Sequence, residues 1–324
     1  MLARPNRFSL RVRRIAATRG YNSIVPSGTR EYRRSELRNP ASKNLDRLSA
    51  LQIVRLMNRE DRKVSVAVGR ALPAIARAVD LIVQAIRRGG RLIYVGAGSS
   101  GRIAVLDAAE CPPTFGTSPK LVQTLIAGGG PAITRAVEGA EDSPANAARD
   151  LRKIKLMRHD VVAGICASGT TPYVLGALRF ASKIGAATIA ITVNRNTPVA
   201  RLADVLIATD VGPEILTGST RLKSGSAQKM VLNMLTTAAM TRLGHVYENL
   251  MIDVKASNRK VSQRMVRILA DSSGKSLSAS AHALRQSGHN LRVALLMLKL
   301  RLNAADAGKR LRDAKGHLRA ALGE

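Results

Sequence analysis

Apolar residues recur at three-and-four spacing over residues 46–88, the period of helices with one buried face. Two helices are predicted there. One covers LDRLSALQIVRLMNRED; the second runs from about Val64 through AVGRALPAIARAVDLIVQAIRRGG. Pro73 should bend or break the second, because proline has no N–H for an interior helical bond. Gly89 and Gly90 should close it. From Arg91 the pattern changes. Short, continuously apolar runs at 92–95, 121–127, 161–166, 187–193 and 205–209 alternate with helical stretches at 103–109, 133–138 with 145–156, 173–183 and 199–202. Strands buried on both faces and separated by helices predict an α/β class: a doubly wound, mainly parallel, five-stranded sheet. A long helix over about 225–242 follows. The tail beyond Asn258 reads as a small appendage of three basic helices. Residues 1–35 lack apolar periodicity. The chain thus divides into a disordered basic extension (1–35), an α/β domain with its N-terminal helices (36–258) and a small C-terminal helical domain (259–324).

Charge modifies this picture. The 324 residues carry a net charge of +30, which attracts phosphorylated solutes and acidic polymers alike. It is spread along the chain, with ten Arg against two Glu in residues 1–40 and fourteen Lys or Arg against four Asp or Glu in 259–324. The basic extension resembles either an organellar presequence or translated sequence upstream of the natural start. Five Tyr, three Phe and no Trp leave no stacking platform for single-stranded nucleic acid, so no nucleic-acid partner is expected. No apolar run approaches the ~20 residues a membrane helix needs. Cys111 and Cys166 are far apart, and the five histidines fall at no metal-ligand spacing. A cytoplasmic chain without disulfide or metal is expected.

The chemistry concentrates in three loops. The strand at 92–95 runs into Gly96-Ala-Gly-Ser-Ser-Gly101, and a helical pattern begins at Ile103. Strand, Gly/Ser loop and helix N-terminus in that order form an anion pocket: the first helical N–H groups lack partners, and the helix dipole adds positive charge. The G-x-G-x-x-G spacing is also a dinucleotide fingerprint, but the second strand, LVQTLIAGG, ends without the acid that would hold the ribose. A second loop, Ala167-Ser-Gly-Thr-Thr-Pro172, repeats the arrangement. Either these hydroxyls line a phosphate and sugar site, or they are ordinary N-caps. A third cluster, GPEILTGSTRLKSGSAQK (212–229), opens the long helix and is also placed to face an anion. Acidic residues are scarce in this chain, which sets apart Glu110 in DAAECPPTFG and Glu138, Glu141 and Asp142 in VEGAEDS. Two carboxylates can divide acid and base work, although helix-face charges and N-caps would look the same.

Taken together, RLIYVGAGSSGRIAVLDAAECPPTFG, LIAGGGPAITRAVEGAED, ASGTTPYVLGAL, GPEILTGSTRLKSGSAQKMVLNMLTTAAM and NLMIDVKASN closely resemble the N-acetylmuramic acid 6-phosphate etherases, of the SIS (sugar isomerase) fold superfamily. The resemblance runs from about Leu37 to Gly274. It implies cleavage of the lactyl ether of N-acetylmuramic acid 6-phosphate to N-acetylglucosamine 6-phosphate and D-lactate, by elimination and then addition of water, in cell-wall sugar recycling. It implies no cofactor and a homodimer. By motif, Glu110 matches the family's proton donor and Glu141 its second catalytic glutamate, assigned as base. Ser100, Ser168 and Thr171 are implied to bind phosphate, with Ser99, Ser219, Thr220 and Lys223 as further candidates. Two departures stand out: GSSG replaces the usual GTSG, and Thr170 stands where arginine commonly precedes Thr-Pro. A non-catalytic, sugar-phosphate-sensing regulatory protein of the same superfamily is the alternative.

Overall fold

A computed structural model describes residues 34–254 and 259–324. The expectation of disorder over residues 1–35 therefore lies outside the described residues except at its end. There, Arg34–Glu36 forms a 3-10 turn and Ser35 is buried, where its hydroxyl accepts from Asn194.

Helix α1 (Ala50–Gly69) runs on through the point where a break after Asp61 was expected, because Asp61, Arg62 and Lys63 lie on the solvent side while Glu60 and Val64 are buried. Its start is fixed by a reciprocal cap in which Ser49 and Gln52 satisfy each other's backbone N–H groups. The break falls at Arg70–Ala71, and α2 (Leu72–Arg87) begins with Pro73 in its first turn, where the missing donor costs nothing.

The five strands are β1 (Leu92–Gly96), β2 (Val122–Ile126), β3 (Val161–Ile165), β4 (Ala187–Thr192) and β5 (Val205–Ala208). They pair in parallel in the order β2-β1-β3-β4-β5, within a residue or two of the predicted bounds. Side chains alternate between two apolar layers. Leu92 and Tyr94 pack with α1, α2, α3 (Gly98–Phe115) and α7 (Lys223–Arg242); Ile93 and Val95 pack with α5 (Pro144–Lys153) and α6 (Pro172–Ile184) on the other face. Covering both faces is what makes a parallel sheet of such strands stable.

Three expectations need correction. Helix α3 starts at Gly98, not Ile103, and continues past Glu110 through Pro112 and Pro113 to Phe115. The two prolines fall in its last turn, where Gly116 closes it in the left-handed conformation. The predicted helix over 133–138 is only one turn, α4 (Pro131–Thr134), followed by a largely exposed segment and a 3-10 turn at Ala140–Asp142. The tail holds five helices rather than three: α8 (Arg259–Ser273), α9 (Leu277–Gln286), α10 (Leu291–Leu300), α11 (Ala304–Asp313) and α12 (Leu318–Leu322). Ser276, Asn290 and Asn303 cap α9, α10 and α11, dividing what read as longer helices. These helices share an apolar cluster of their own, which Tyr247, Ile252 and Val254 join. Among the described residues no helix is long and apolar enough to cross a membrane.

Candidate active site

The chain passes from β1 outward to β2, then crosses back over β1 to β3 and continues to β4 and β5, so the sheet order reverses between β1 and β3. Ligands of open α/β sheets bind at the carboxyl ends of the strands flanking such a point. Gly96 and Ile165 are register partners there, so the two Ser/Gly loops leave the sheet side by side. Helix α3 begins after Ala97, and Ser99 and Ser100 lie in its first turn. Helix α6 begins after Thr171. Neither helix has a side-chain cap hydrogen bond. Ser99 and Ser100 lie inside the first turn of α3, whose N-cap position is Ala97, and Thr171 holds the N-cap position of α6 without a side-chain cap bond. The N-termini of α3 and α6 thus both follow strands that are neighbours in the sheet, and each end carries partial positive charge from its helix dipole. The close packing depends on Gly101, where a Cβ would lie 2.6 Å from Ile126 Cγ1.

The β3 loop is wound around the Cys166 thiol. Cys166 Sγ accepts from Gly169 N (3.2 Å) and Thr171 N (3.3 Å), donates to Thr171 Oγ1 (3.0 Å) and lies 3.3 Å from Ser168 Oγ. Ser168 Oγ is 3.1 Å from Thr170 Oγ1. From the end of β4, Asn194 Nδ2 donates to the carbonyls of Ala167 and Ser168, and Thr192 Oγ1 donates to Ala167 O. Sequence reasoning missed Cys166 and Asn194. Neither carries a motif signal of its own; their importance comes from the strand that lies next to the loop.

The third cluster differs from expectation. The N-terminus of α7 already holds an anion, the carboxylate of fully buried Glu214, which accepts from Lys223 N (3.1 Å), Ser224 N (2.9 Å) and Ser224 Oγ (2.8 Å). The Lys223 ammonium is buried too, and donates to Glu60 Oε2 and Pro213 O, each at 2.8 Å. Asn39 Nδ2 joins the same pair of acceptors. Burial works to raise the Glu60 carboxyl, but hydrogen bonds from Lys223, Lys63 and Asn39 outweigh it and bring it down to about 2. Ser219 and Thr220 are half-buried in the turn just before α7.

Both candidate glutamates are exposed. Glu141 lines a cavity of about 240 Å³ together with Ser99, Arg102 and Glu138. Glu110 does not line it, and lies eleven residues further along α3 than Ser99, or about 16 Å by helical rise. One turn before Glu110, the buried Asp107 carboxylate accepts from Tyr94 Oη (3.0 Å), Asn233 Nδ2 (2.7 Å) and Thr236 Oγ1 (3.2 Å), which ties α3 to β1 and α7. Burial holds this carboxyl above the usual carboxylate range, against those hydrogen bonds. Among the described residues no group of three or more His, Cys, Asp or Glu is gathered as a metal site would need.

Comparison with known proteins bears on these same segments. The family model described as the glucokinase regulatory protein N-terminal SIS domain matches residues 74–182, and the SIS domain model matches residues 141–238. A curated relative from Pectobacterium atrosepticum, an N-acetylmuramic acid 6-phosphate etherase, is 53% identical over 288 residues, covering 89% of this chain and 95% of the relative. A relative of the same name from Yersinia pestis is 54% identical over 288 residues, covering 89% of this chain and 98% of the relative. Among solved structures, a phosphoheptose isomerase from Francisella tularensis aligns with a TM-score of 0.49 at 18% identity, over 60% of this chain and all of that one.

Proposed function

The chain belongs to the N-acetylmuramic acid 6-phosphate etherase family, and on that premise we propose that the β1 and β3 loops grip the 6-phosphate while Glu110 and Glu141 divide the acid and base work. The observation that carries this reading is the pair of uncapped helix N-termini at the point where the sheet order reverses, with Glu141 sharing a cavity with Ser99. Ser100, Ser168 and Thr171 supply hydroxyls to the phosphate, with Ser99, Ser219 and Thr220 around them. Lys223 is spent on Glu60, so its part is to hold the loop before α7 in place.

The reaction follows from the chemistry of the open-chain sugar. The C2 proton is acidic because it lies alpha to the aldehyde. Glu141 takes it; the electron pair forms the C2–C3 double bond, the C3–O bond breaks, and Glu110 gives its proton to the departing lactyl oxygen. Glu110, now ionised, takes a proton from water as the oxygen adds to C3. Glu141 returns its proton to C2. The products are D-lactate and N-acetylglucosamine 6-phosphate, and each carboxyl ends as it began.

We further propose a cytoplasmic homodimer. Both cysteines are buried and unpaired, as a reducing compartment allows. Exposed Leu106 lies one turn before Glu110, and exposed Ile133 and Val137 flank the segment leading to Glu141. A second copy covering these apolar side chains would also close the distance between Glu110 and Glu141. The test is D-lactate release from N-acetylmuramic acid 6-phosphate. Glu110→Gln and Glu141→Gln are each expected to stay folded and to lower the rate by about 10²–10⁴-fold. Undiminished release by either variant would remove that residue from the mechanism.

A further inference from the structure

We propose that Arg102 is a positioning residue that stations the segment bearing Glu141 against the β1 loop; the inference rests on the reading of Glu141 as the base. Arg102 lies on α3 one turn after Ser99. Its Nε donates to the carbonyls of Ala132 (3.0 Å) and Ile133 (3.1 Å), and its Nη2 to that of Arg135 (2.9 Å). These are the orphan carbonyls at the end of α4, a helix of a single turn. Four residues cannot hold themselves helical in water. Nor does the segment bring a core: over residues 131–142 only Ala132 is buried. Its far end is fixed by Ser143, whose hydroxyl caps α5. Its near end is fixed by the guanidinium, which reaches across from α3 and borders the cavity that Ser99 and Glu141 share. The guanidinium reaches the three carbonyls from two nitrogens held in a fixed plane; an ammonium offers its donors from a single point and an amide has only two N–H groups. The phosphate-binding turn and the base are thereby carried on one rigid piece, which fixes the distance between the substrate's phosphate and its C2 proton.

The experiment compares Arg102→Gln and Arg102→Lys with the unaltered protein, using three measurements. Steady-state D-lactate release should show kcat down by about 10–100-fold in Arg102→Gln, the range expected when a catalytic group is misplaced by about an ångström. Calorimetric affinity for N-acetylglucosamine 6-phosphate should stay within about twofold, because the phosphate grip is left intact. The double variant Arg102→Gln/Glu141→Gln should be no slower than Glu141→Gln alone, because both changes disable the same step. Amide exchange over 131–142 should quicken in Arg102→Gln, with the sheet unchanged. Arg102→Lys gives a milder version of each result in a variant closer to native packing. Undiminished kcat, a multiplicative double variant, or weakened product binding with normal kcat would each overturn the proposal, the last by making Arg102 a ligand of the phosphate. Failure of the unaltered protein to release lactate would count against the etherase reading instead, and the exchange measurement would still test the clamp.

Discussion

At the scale of single residues, the hydroxyls of the β3 loop are held by their neighbours. Thr170 is the clearest point of departure from the family pattern, and its hydroxyl lies against that of Ser168. Thr170→Arg restores a charge-assisted donor beside the phosphate. It should tighten N-acetylglucosamine 6-phosphate binding by about tenfold, read by calorimetry, since such bonds are worth about 1.5–3 kcal/mol. Unchanged affinity would mean that position 170 does not face the phosphate. Cys111 offers a second check on the α3 environment. Burial, then the charges of Asp107 and Glu110, push its thiol up to about 12. Iodoacetamide at pH 8 should therefore leave Cys111 unmodified in the folded protein and label it in urea. The serines stood out in the sequence by residue type and strand context, and Glu110 and Glu141 by the motifs that carry the family resemblance. Arg102, Cys166 and Asn194 did not. Arg102 and Asn194 act through backbone atoms of segments 26–33 residues away, and Cys166 through the backbone of the loop that follows it; no local pattern records those contacts.

At the scale of elements, strand and helix types were readable and several ends were not. Continuous apolar runs and period-3.6 patterns are set by burial, which the sequence carries directly. Ends depend on caps, and the cap of α7 is Glu214, nine residues before the helix it serves. The link from α1 to α7 shows the energetic side. Glu60 holds Lys223 across 163 positions of sequence, with both side chains almost wholly buried. The Glu60 carboxyl is lowered from 4.5 to about 2 in the folded protein. A lowered carboxyl contributes stability that is fully present above pH ~4.5 and is lost as pH falls toward about 2, here about 3 kcal/mol. Glu60→Gln should flatten that part of the stability–pH curve in urea titrations. It should also cost about 3–5 kcal/mol at pH 7, because the Lys223 charge is left buried without its partner. A variant as stable as the parent, with the same acid slope, would contradict this account of the pair.

At the scale of the whole molecule, the proposed homodimer raises the question of which chain supplies each of the two proposed catalytic carboxyls. If Glu110 of one protomer works with Glu141 of the other, two inactive proteins will rescue each other. Mixing Glu110→Gln and Glu141→Gln dimers under conditions of subunit exchange gives heterodimers with one intact site and one doubly altered site. With random pairing, half the dimers are mixed and each has half its sites working, so activity should recover to about a quarter of the unaltered level. No recovery despite demonstrated exchange would place both groups in one chain.

Glu214 also bears on which way round a sugar can lie. A phosphorylated sugar has a doubly charged tail and a reactive head. Helix N-termini attract phosphate, so several open ones near a sugar would admit the tail at more than one berth, with the head left facing different groups. One terminus is plugged from inside by the protein's own carboxylate. On the proposed reading of the β1 and β3 loops, the termini of α3 and α6 are then the ones left for the phosphate, which would favour one direction for the head. Regiochemistry, the choice of the bond at C3 over its neighbours, would then be set partly by a side chain that never meets the sugar.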